Sequence, residues 1–358
     1  MKVAISCDDL LVRDHYTELV ETLGLVFEDA EIYTLVHKEK ALLGTIELRK
    51  IHSTYLSHKI KDRNQLAKNS FLIPSAAKNL FIPCSVDVII NVTNGMSQGI
   101  TKCEGTKLIT YFYDHYYLNR KKKSLREKIF NSYISKWSMN TLAQSDEVWV
   151  PNGATKDFLK EFYKGPITVV NPPFRIDDYP VMPPTEMKFE YFAINVEDMS
   201  VDMAKNLSHF FSKYSLEYKF FGDDSHLEDM KYHKDDERFF GVKCSGELAP
   251  FLANSRAIID VSNRAFPENA LKGLSCGRPL ICFESEMYKS YLGDFGVLWT
   301  KSTTESLIES IKDMNNLFHT FDRKKLHAIA VNYHETKFKA DVRRRIFNDA
   351  SKHSESCC

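Results

Sequence analysis

Short apolar runs alternate along the first half of the chain with stretches in which apolar residues recur at helical spacing. A helix is predicted from about Tyr16, because Leu19, Val20, Leu23 and Val26 fall on one face. Strands that alternate with helices predict parallel βα units rather than an all-β fold. The predicted strands are Lys2–Ser6, Ala30–Val36, Asp87–Val92, Lys107–Phe112, Glu147–Pro151 and Ile167–Val170.

A proline-rich stretch interrupts this pattern. Asn171-Pro172-Pro173 is followed by Asp177–Pro184, which contains three more prolines. Proline fixes its own φ angle and restricts the residue before it, so the stretch cannot continue a helix. The sequence predicts a first domain over 1–172 and an extended linker over 173–185.

The strand–helix pattern then restarts. Glu305–Leu317 is predicted as an amphipathic helix, and a basic helix lies around Lys337–Phe347. The strands expected here are Glu190–Asn195, Tyr218–Phe221, Phe239-Phe240, Ala257–Val261, Pro279–Phe283 and Gly296–Trp299. The fold class is therefore predicted as α/β, with two Rossmann-like domains whose doubly wound parallel sheets face a cleft. The second domain covers 186–320, and 321–358 forms the basic helix and a disordered tail.

Composition narrows the class of protein. The 358 residues carry 48 basic and 48 acidic side chains, a balance without the positive surface of a nucleic-acid-binding protein. No apolar run approaches the ~20 residues that span a bilayer, and the first ten residues are predicted as a strand rather than a signal peptide. The expected location is cytoplasmic.

The eight cysteines are scattered, and no pair has zinc-site spacing. Most lie within apolar runs, so we expect small buried apolar residues in a reducing cytosol and no disulfide framework. Cys357 and Cys358 end a polar tail, for which fraying is expected and a lipidation or metal site is the alternative. No metal site is predicted.

An aromatic segment, Tyr111–Tyr117, follows a predicted strand. Asp114 and His115 in it are the catalytic candidates, because such a pair can position or deprotonate an acceptor hydroxyl. Its aromatic rings could stack on sugar faces. The alternative is a hydrophobic lip that carries one surface Asp-His pair. Asp14 and His15 form a similar pair in the first loop.

A basic run, Arg120–Lys123, lies near Trp137. Such a patch can contact anionic lipid, which would place the protein peripherally at the inner face of a membrane. The alternative is a solvated helix face, and Arg343–Arg345 carries the same two interpretations.

The strand Ala257–Val261 leads to a turn and then to a helix that begins near Glu268 or Asn269. Free backbone N–H groups at a helix start attract anions, and a nucleotide diphosphate fits this requirement. The alternative is a helix whose only role is packing, with Phe266-Pro267 ending the loop.

Together these segments resemble the retaining GT-B glycosyltransferases of the family-four mannosyl- and glucosyltransferase group. The resemblance extends over nearly the whole chain, and its specificity comes from the order and spacing of the segments. They are Asp8–Leu10, Asp29–Val36, Lys50–Ser53, Ser85–Gly99, Val169–Pro173, Phe240-Gly241, Gly246–Leu252, Ser255–Ala257, Phe266–Leu271 and Cys276–Ile281.

The resemblance implies an acceptor-side first domain and a nucleotide-sugar-side second domain. The acceptor-side residues that it implies are Arg13, Asp14, His15, Asn94, Gly95, Tyr113 and Tyr116. The donor-binding residues are Lys205, Asn195, Glu247, Arg264, Phe266, Pro267, Glu268, Asn269, Ala270, Leu271 and Lys272.

Several positions depart from the family pattern. Active members carry two glutamates across the donor loop, and Arg264 and Lys272 stand there in this chain. A cation cannot accept the hydrogen bonds that those carboxylates accept. Asn195 replaces the arginine of the diphosphate clamp, Tyr113 replaces a histidine, and no glycine occurs in the loop Val12–His15. Lys205 matches the clamp lysine.

The resemblance implies a metal-independent, retaining transfer of sugar from a nucleotide-diphospho-sugar to a glycan or lipid-linked glycan. The departures leave three alternatives open: a cationic site rebuilt for an unusual donor, in which Arg264 and Lys272 meet a more anionic ligand, a shifted register in the donor loop, or an inactive GT-B protein that acts as a partner or glycan-binding module. An epimerase or phosphorylase of the same fold is a further hypothesis.

Overall fold

The computed structural model describes residues 1–42, 44–114, 125–182, 188–231 and 236–355, with the backbone alone at 125–131 and 348–355. These residues form two compact units. Unit 1 comprises Met1–Pro173 and the chain from Phe338, and unit 2 comprises Phe174–Lys337.

Unit 1 contains a sheet of seven parallel strands in the order β3-β2-β1-β4-β5-β6-β7. The order reverses between β1 and β4, which makes their carboxyl ends the switch point of this sheet. Its strands are β1 Val3–Leu10, β2 Glu31–His37, β3 Ile51–Ser53, β4 Val88–Thr93, β5 Lys107–Phe112, β6 Glu147–Val150 and β7 Ile167–Val169.

Helices cover both faces of the unit 1 sheet, and for this reason all eight residues of β1 are buried. The described helices are α1 His15–Val26, α2 Arg63–Lys68, α3 Ile73–Lys78, α4 Leu125–Thr141 and α5 Gly153–Leu159. The last helix of the chain, α12 Glu335–Glu355, adds Phe338, Val342 and Ile346 to the same core. These residues repeat every four positions, as one face of a helix requires.

Unit 2 contains six parallel strands in the order β10-β9-β8-β11-β12-β13, with its switch point between β8 and β11. The strands are β8 Tyr191–Asn195, β9 Tyr218–Phe221, β10 Phe239–Gly241, β11 Ser255–Asp260, β12 Leu280–Phe283 and β13 Val297–Thr300. The helices are α6 Val201–Lys213, α7 Ser245–Ala253, α8 Glu268–Ser275, α9 Glu286–Leu292, α10 Thr304–Leu317 and α11 Arg323–Val331.

The prediction of two doubly wound parallel α/β sheets is confirmed. The main differences concern strand lengths. β1 continues past Ser6 through Asp8 and Asp9, because hydrogen bonds and an ion pair compensate these buried carboxylates. The short strand β3 was not predicted as a strand, since three residues are too few for a recognisable apolar run.

The expectation of small buried apolar cysteines is wrong for Cys84 and Cys103, which form a disulfide with a Cα–Cα distance of 5.3 Å. The pair joins the segment before β4 to the loop before β5. Cys7, Cys276 and Cys282 are buried, as expected of small apolar residues, whereas Cys244 is exposed. None of the described helices combines the length and the apolar character that crossing a bilayer requires.

Candidate functional site

The switch point of unit 1 is organised around the buried carboxylate of Asp8 at the end of β1. Asp8 Oδ2 accepts the N–H of Asn94 at 2.6 Å, and Oδ1 accepts the N–H of Ser97 at 2.7 Å and the hydroxyl of Thr93 at 2.8 Å. Gly95 lies between the bonded amides at a φ of 103°, a conformation that favours glycine. The carboxylate therefore fixes the turn that follows β4.

Burial raises the pKa of Asp8 to about 6, while the hydrogen bonds from Ser97, Asn94 and Thr93 act in the opposite direction. The neighbouring Tyr16 completes the arrangement, since its hydroxyl accepts the N–H of Asp8 at 2.7 Å and donates to the carbonyl of Val92 at 2.9 Å. The sequence predictions did not single out Asp8 as the residue that holds this turn. The available signal was an acidic pair at the end of a strongly apolar strand.

His15, the first residue of α1, is buried and uses both ring nitrogens. Nε2 lies 2.7 Å from the carbonyl oxygen of Pro173, and Nδ1 lies 2.7 Å from the hydroxyl of Tyr113. A carbonyl only accepts, so Nε2 carries the proton, and in the neutral ring Nδ1 accepts the Tyr113 hydroxyl. The structure thus brings together two of the predicted acceptor-side residues, His15 and Tyr113.

The other predicted residues of the first loop form ion pairs. Arg13 Nη2 lies 2.7 Å from Glu21 Oε2. Asp14 caps α1 by accepting the N–H of Thr17 at 3.0 Å, and it also pairs with Arg63. Burial pushes the pKa of Asp14 upward, but the Arg63 guanidinium outweighs this effect and lowers the pKa. Both side chains therefore stabilise the start of α1.

The turn of unit 1 contains a second unusual group. Asn94 is almost fully buried, and its side-chain Oδ1 has no hydrogen-bond partner among the described residues. Asp114, which lies two residues after β5, is partly buried and is the last residue described before position 125. His115, Tyr116 and the basic run Arg120–Lys123 lie outside the described residues.

The switch point of unit 2 is also built on a buried carboxylate, which here belongs to β11. Asp260 Oδ1 accepts the Asn195 side-chain amide at 3.0 Å, and the N–H and hydroxyl of Ser262 at 3.1 and 2.6 Å. Its Oδ2 has no hydrogen-bond partner in the described part of the chain. Burial raises the pKa of Asp260. Asn195 is itself fully buried and links the ends of β8 and β11.

Helix α8 begins beside this switch point without a side-chain cap, because Pro267 occupies the capping position. Within the described residues, no bond accounts for the backbone N–H groups of Asn269 and Ala270. Ser200 caps α6 and Ser285 caps α9, whereas α7, like α8, begins without a side-chain cap. An uncapped helix start presents N–H donors and a partial positive charge to an anion.

Arg264 precedes this helix and contacts the acidic end of β8. Its Nε donates to Asp198 Oδ2 at 2.7 Å, and its Nη2 lies 4.0 Å from Glu197 Oε2. Asp198 has a φ of 63°, which is uncommon outside glycine. Partial burial raises the pKa of Glu197 against the attraction of Arg264. Two carboxylates therefore stand where the sequence suggested an open cationic site.

Lys272 is paired within α8. Its Nζ lies 2.5 Å from Glu268 Oε1 and 3.2 Å from Asn269 Oδ1. Asn269 in turn donates to Glu197 Oε2 at 3.3 Å. Glu268 thus acts on Lys272, one helical turn away, and the local charge is largely compensated within the chain.

The remaining donor-side predictions fall into two groups. Phe266, Ala270 and Leu271 are buried, and Phe266 packs edge-on against Tyr291 and Tyr333. These three residues can offer a ligand their backbone only. Lys205 is exposed on α6, and no ion pair of its ammonium occurs among the described residues.

Glu247 is also exposed, in the first turn of α7, with its Oε1 3.4 Å from Lys243 Nζ. The described side chains contain no group of three or more His, Cys, Asp or Glu residues arranged to hold a metal ion.

Several solved structures resemble this chain at low sequence identity. Sucrose-phosphate synthase from Thermosynechococcus elongatus has a TM-score of 0.73 at 12% identity, covering 98% of this chain and 100% of that one. Anabaena HepE in complex with UDP-glucose has a TM-score of 0.68 at 11% identity, covering 97% and 100%. The lipopolysaccharide outer core galactosyltransferase WaaB, in its apo form, has a TM-score of 0.62 at 14% identity, covering 98% and 100%.

No protein-family profile and no curated protein sequence matches the chain. At such low identities the structural likeness shows the fold, which is that of GT-B glycosyltransferases.

Proposed function

We propose that the chain transfers a sugar from a nucleotide-diphospho-sugar to a glycan or lipid-linked glycan, with retention and without a metal ion. The observation that carries the proposal is the uncapped start of α8 at the switch point of unit 2. Its unused N–H groups at Asn269 and Ala270 suit the oxygens of a diphosphate. The fold likeness supports this choice of ligand, because HepE has been solved with UDP and with UDP-glucose.

Lys205 is the second element of the proposed donor site. It lies on the helix that follows β8, and its ammonium has no ion pair in the described ranges. As the bond to the sugar breaks, negative charge accumulates on the leaving diphosphate. A fixed ammonium and backbone N–H groups stabilise that charge without a metal ion.

The carboxylates of unit 2 limit how the donor binds. Asp198 holds Arg264, and Glu268 holds Lys272, so both guanidinium and ammonium groups already have acidic partners. A diphosphate gains their attraction only if these pairs open. We therefore assign the phosphate contacts to Lys205 and the α8 backbone, and we expect modest donor affinity.

Unit 1 supplies the acceptor side of the proposal. The Tyr113 hydroxyl, directly after β5, is hydrogen-bonded to His15 at the start of α1, and Asp114 is the next residue after Tyr113. Asp114 remains the candidate for accepting the proton of an acceptor hydroxyl, with His115 as the neighbouring candidate.

The second candidate is a non-catalytic GT-B protein that still binds a nucleotide sugar and acts as a partner or glycan-binding module. The ion pairs at Arg264 and Lys272 favour it. The family resemblance implies that active enzymes have glutamates at these two positions, whose carboxylates accept hydrogen bonds that paired cations cannot accept. Donor binding is common to both candidates, whereas turnover belongs to the first.

A thermal-shift and calorimetric screen with UDP-, GDP-, CMP- and dTDP-sugars tests donor binding. We expect at least one diphospho-sugar to raise the melting temperature and to release its nucleotide when acceptor glycans are added. Absence of any shift would remove both candidates. Binding without nucleotide release over a broad acceptor panel would leave the non-catalytic one.

Lys205→Ala tests the phosphate assignment. We expect donor affinity to fall about tenfold, roughly 1.4 kcal/mol, because one charge-assisted contact is lost. Lys213→Ala is the matched control, because Lys213 is an exposed lysine at the other end of α6, and this variant should bind the donor as the native protein does. Equal affinity in both variants would remove Lys205 from the site.

A further inference from the structure

A groove with a volume of about 830 Å³ lies in unit 1, outside the switch point. It runs between the end of α3 and the last turns of α4, beside the segment that follows β4. The residues that line it are Pro74, Ser75, Lys78, Asn79, Gly99, Thr101, Lys102, Tyr133, Trp137, Thr141 and Gln144.

Two aromatic rings on α4 form one wall of the groove. Tyr133 is 56% exposed although it is a large aromatic side chain. Trp137 is partly buried, and its ring occupies the space beside Gly99, where a Cβ atom would lie 2.3 Å from ring atom Cζ2. Glycine at this position therefore permits the ring to lie in the groove wall. An aromatic wall of this kind offers a face on which a sugar ring can stack.

Apart from Pro74 and Gly99, the other lining residues have polar side chains, and the charged ones among them are all positive. Hydroxyl and amide groups come from Ser75, Asn79, Thr101, Thr141 and Gln144. The lining includes two lysines and no carboxylate.

The two lysines differ in their surroundings. Lys102 Nζ lies 2.5 Å from Asp146, which stands outside the lining, whereas no ion pair of the exposed Lys78 ammonium occurs in the part of the chain that the structure describes. A groove with this lining attracts an anion and can hydrogen-bond hydroxyl groups.

The Lys102 end of the groove lies near the amino ends of the strands, whereas Gly99 in its lining follows the Asp8 turn by two residues. Asp146, the partner of Lys102, also accepts the N–H of Leu108 at 2.7 Å, near the beginning of β5. The Asp8 turn lies at the carboxyl ends of β1 and β4. A ligand bound beside Lys102 is thus separated from that turn by the length of the strands.

We propose that this groove is a second binding site, which takes an oligosaccharide carrying an acidic group. The sugar rings stack on Tyr133 and Trp137, the hydroxyl and amide side chains bond the sugar hydroxyls, and Lys78 pairs with the acid. The groove is concave and combines apolar ring surface with hydroxyl, amide and ammonium groups, which suits a soluble saccharide, whereas contact with a lipid surface requires a protruding apolar face. The site is separate from the proposed donor site in unit 2.

The test is calorimetric titration of the full chain with hexasaccharides of galacturonic acid and of heparin, and with neutral chitohexaose. Heparin and galacturonate distinguish a sulfate from a carboxylate as the acidic group. We expect an acidic hexasaccharide to bind about tenfold more tightly than the neutral one. Vesicles that contain phosphatidylserine test whether the protein binds lipid instead, and we expect no binding to them.

Substitutions at two exposed residues of the lining test where the oligosaccharide binds. Lys78→Glu should weaken acidic hexasaccharide binding about tenfold, and Tyr133→Ala about fivefold. Lys59→Glu, at another exposed lysine of unit 1, is the charge-matched control and should bind normally. UDP-sugar binding, measured in the same samples, should not change in any variant, and this separates the groove from the donor site.

Three outcomes would overturn the proposal: no acidic hexasaccharide binding at millimolar concentration, binding that Lys78→Glu leaves unchanged, or binding to vesicles alone. Far-ultraviolet circular dichroism and the melting temperature establish that each variant is folded. If a variant fails to fold, acetylation footprinting of Lys78 in the native protein replaces it, and protection by the hexasaccharide is the expected result.

Discussion

The two switch points use the same kind of residue in opposite ways. In unit 1 the buried carboxylate, Asp8, belongs to β1, and both of its oxygens receive donors from the turn after β4. In unit 2 the buried carboxylate, Asp260, belongs to β11, and one of its oxygens has no hydrogen-bond partner among the described residues. The first is a closed hydrogen-bond arrangement, and the second is incompletely bonded.

The groups that surround the two buried carboxylates also differ in charge. Around Asp8 the donors are mostly neutral backbone amides, which hold the turn in one conformation. Around Asp260 the loop carries ion pairs between partly exposed side chains, such as Arg264 with Asp198. Partly exposed ion pairs contribute little stability and exchange easily with other ions. We infer that unit 1 contributes rigidity and that unit 2 offers exchangeable contacts.

The largest expected effect is that of Asp8→Ala. It leaves the buried N–H groups of Asn94 and Ser97 without acceptors, which should lower the free energy of unfolding by about 2–3 kcal/mol. Chemical denaturation followed by circular dichroism measures the loss. Asp157→Ala, at an exposed carboxylate of the same unit, is the control and should change stability by less than about 0.5 kcal/mol. An unchanged midpoint for Asp8→Ala would contradict the closed arrangement.

The pH dependence of stability provides a smaller effect. Burial raises the pKa of Asp8 to about 6, above the value of ~3.9 in an unfolded chain. The folded protein therefore binds the proton more tightly, and the stability from this group is present below about pH 4 and lost as the pH rises through about 6.

Relative to Asp8→Asn, the native protein should gain about 1 kcal/mol in unfolding free energy when the pH falls from about 7 to about 5. Paired denaturation curves of the two proteins at each pH measure this difference and cancel the other titrating groups. A difference that stays constant with pH would mean that Asp8 has an ordinary pKa.

The smallest expected effect concerns the ion pairs of unit 2. Asp198→Asn removes one negative charge beside Arg264 and keeps a residue that tolerates a positive φ. Affinity for UDP should rise about threefold, because the guanidinium then attracts the diphosphate with less competition.

Calorimetric titration with UDP measures the change, and Asp202→Asn, in the first turn of α6, is the matched control. Weaker UDP binding in Asp198→Asn would show that this carboxylate itself contacts the donor. The roles of the two switch points would then need revision.

The fold was predicted from local sequence patterns, and the structure has strands and helices where these patterns occur. The apolar runs became strands within a few residues of their predicted limits, as Tyr218–Phe221 shows. The start of α8 was also predicted near Glu268, because proline and the end of an apolar strand mark a helix boundary. Such features depend on neighbours along the chain, so the sequence alone is informative about them.

The side-chain partners at the candidate site could not be predicted in this way. The sequence suggested that Arg264 and Lys272 enlarge a cationic surface, whereas acidic partners bind them. The partner of Arg264 lies 66 residues away, at the end of a different strand. The disulfide between Cys84 and Cys103 was missed for a related reason, since cysteine spacing does not reveal which loops become neighbours.

The amino-acid sequence by itself thus determined the α/β class, the two parallel sheets and the position of the helix that starts at the proposed donor site. The tertiary structure decided which charges are paired, which carboxylates are buried and where the groove of unit 1 lies. The physical reason is distance along the chain. Hydrophobic period and turn residues act over a few positions, whereas Asp8 meets its donors 86 and 89 residues later only because β1 and β4 are neighbours in the sheet.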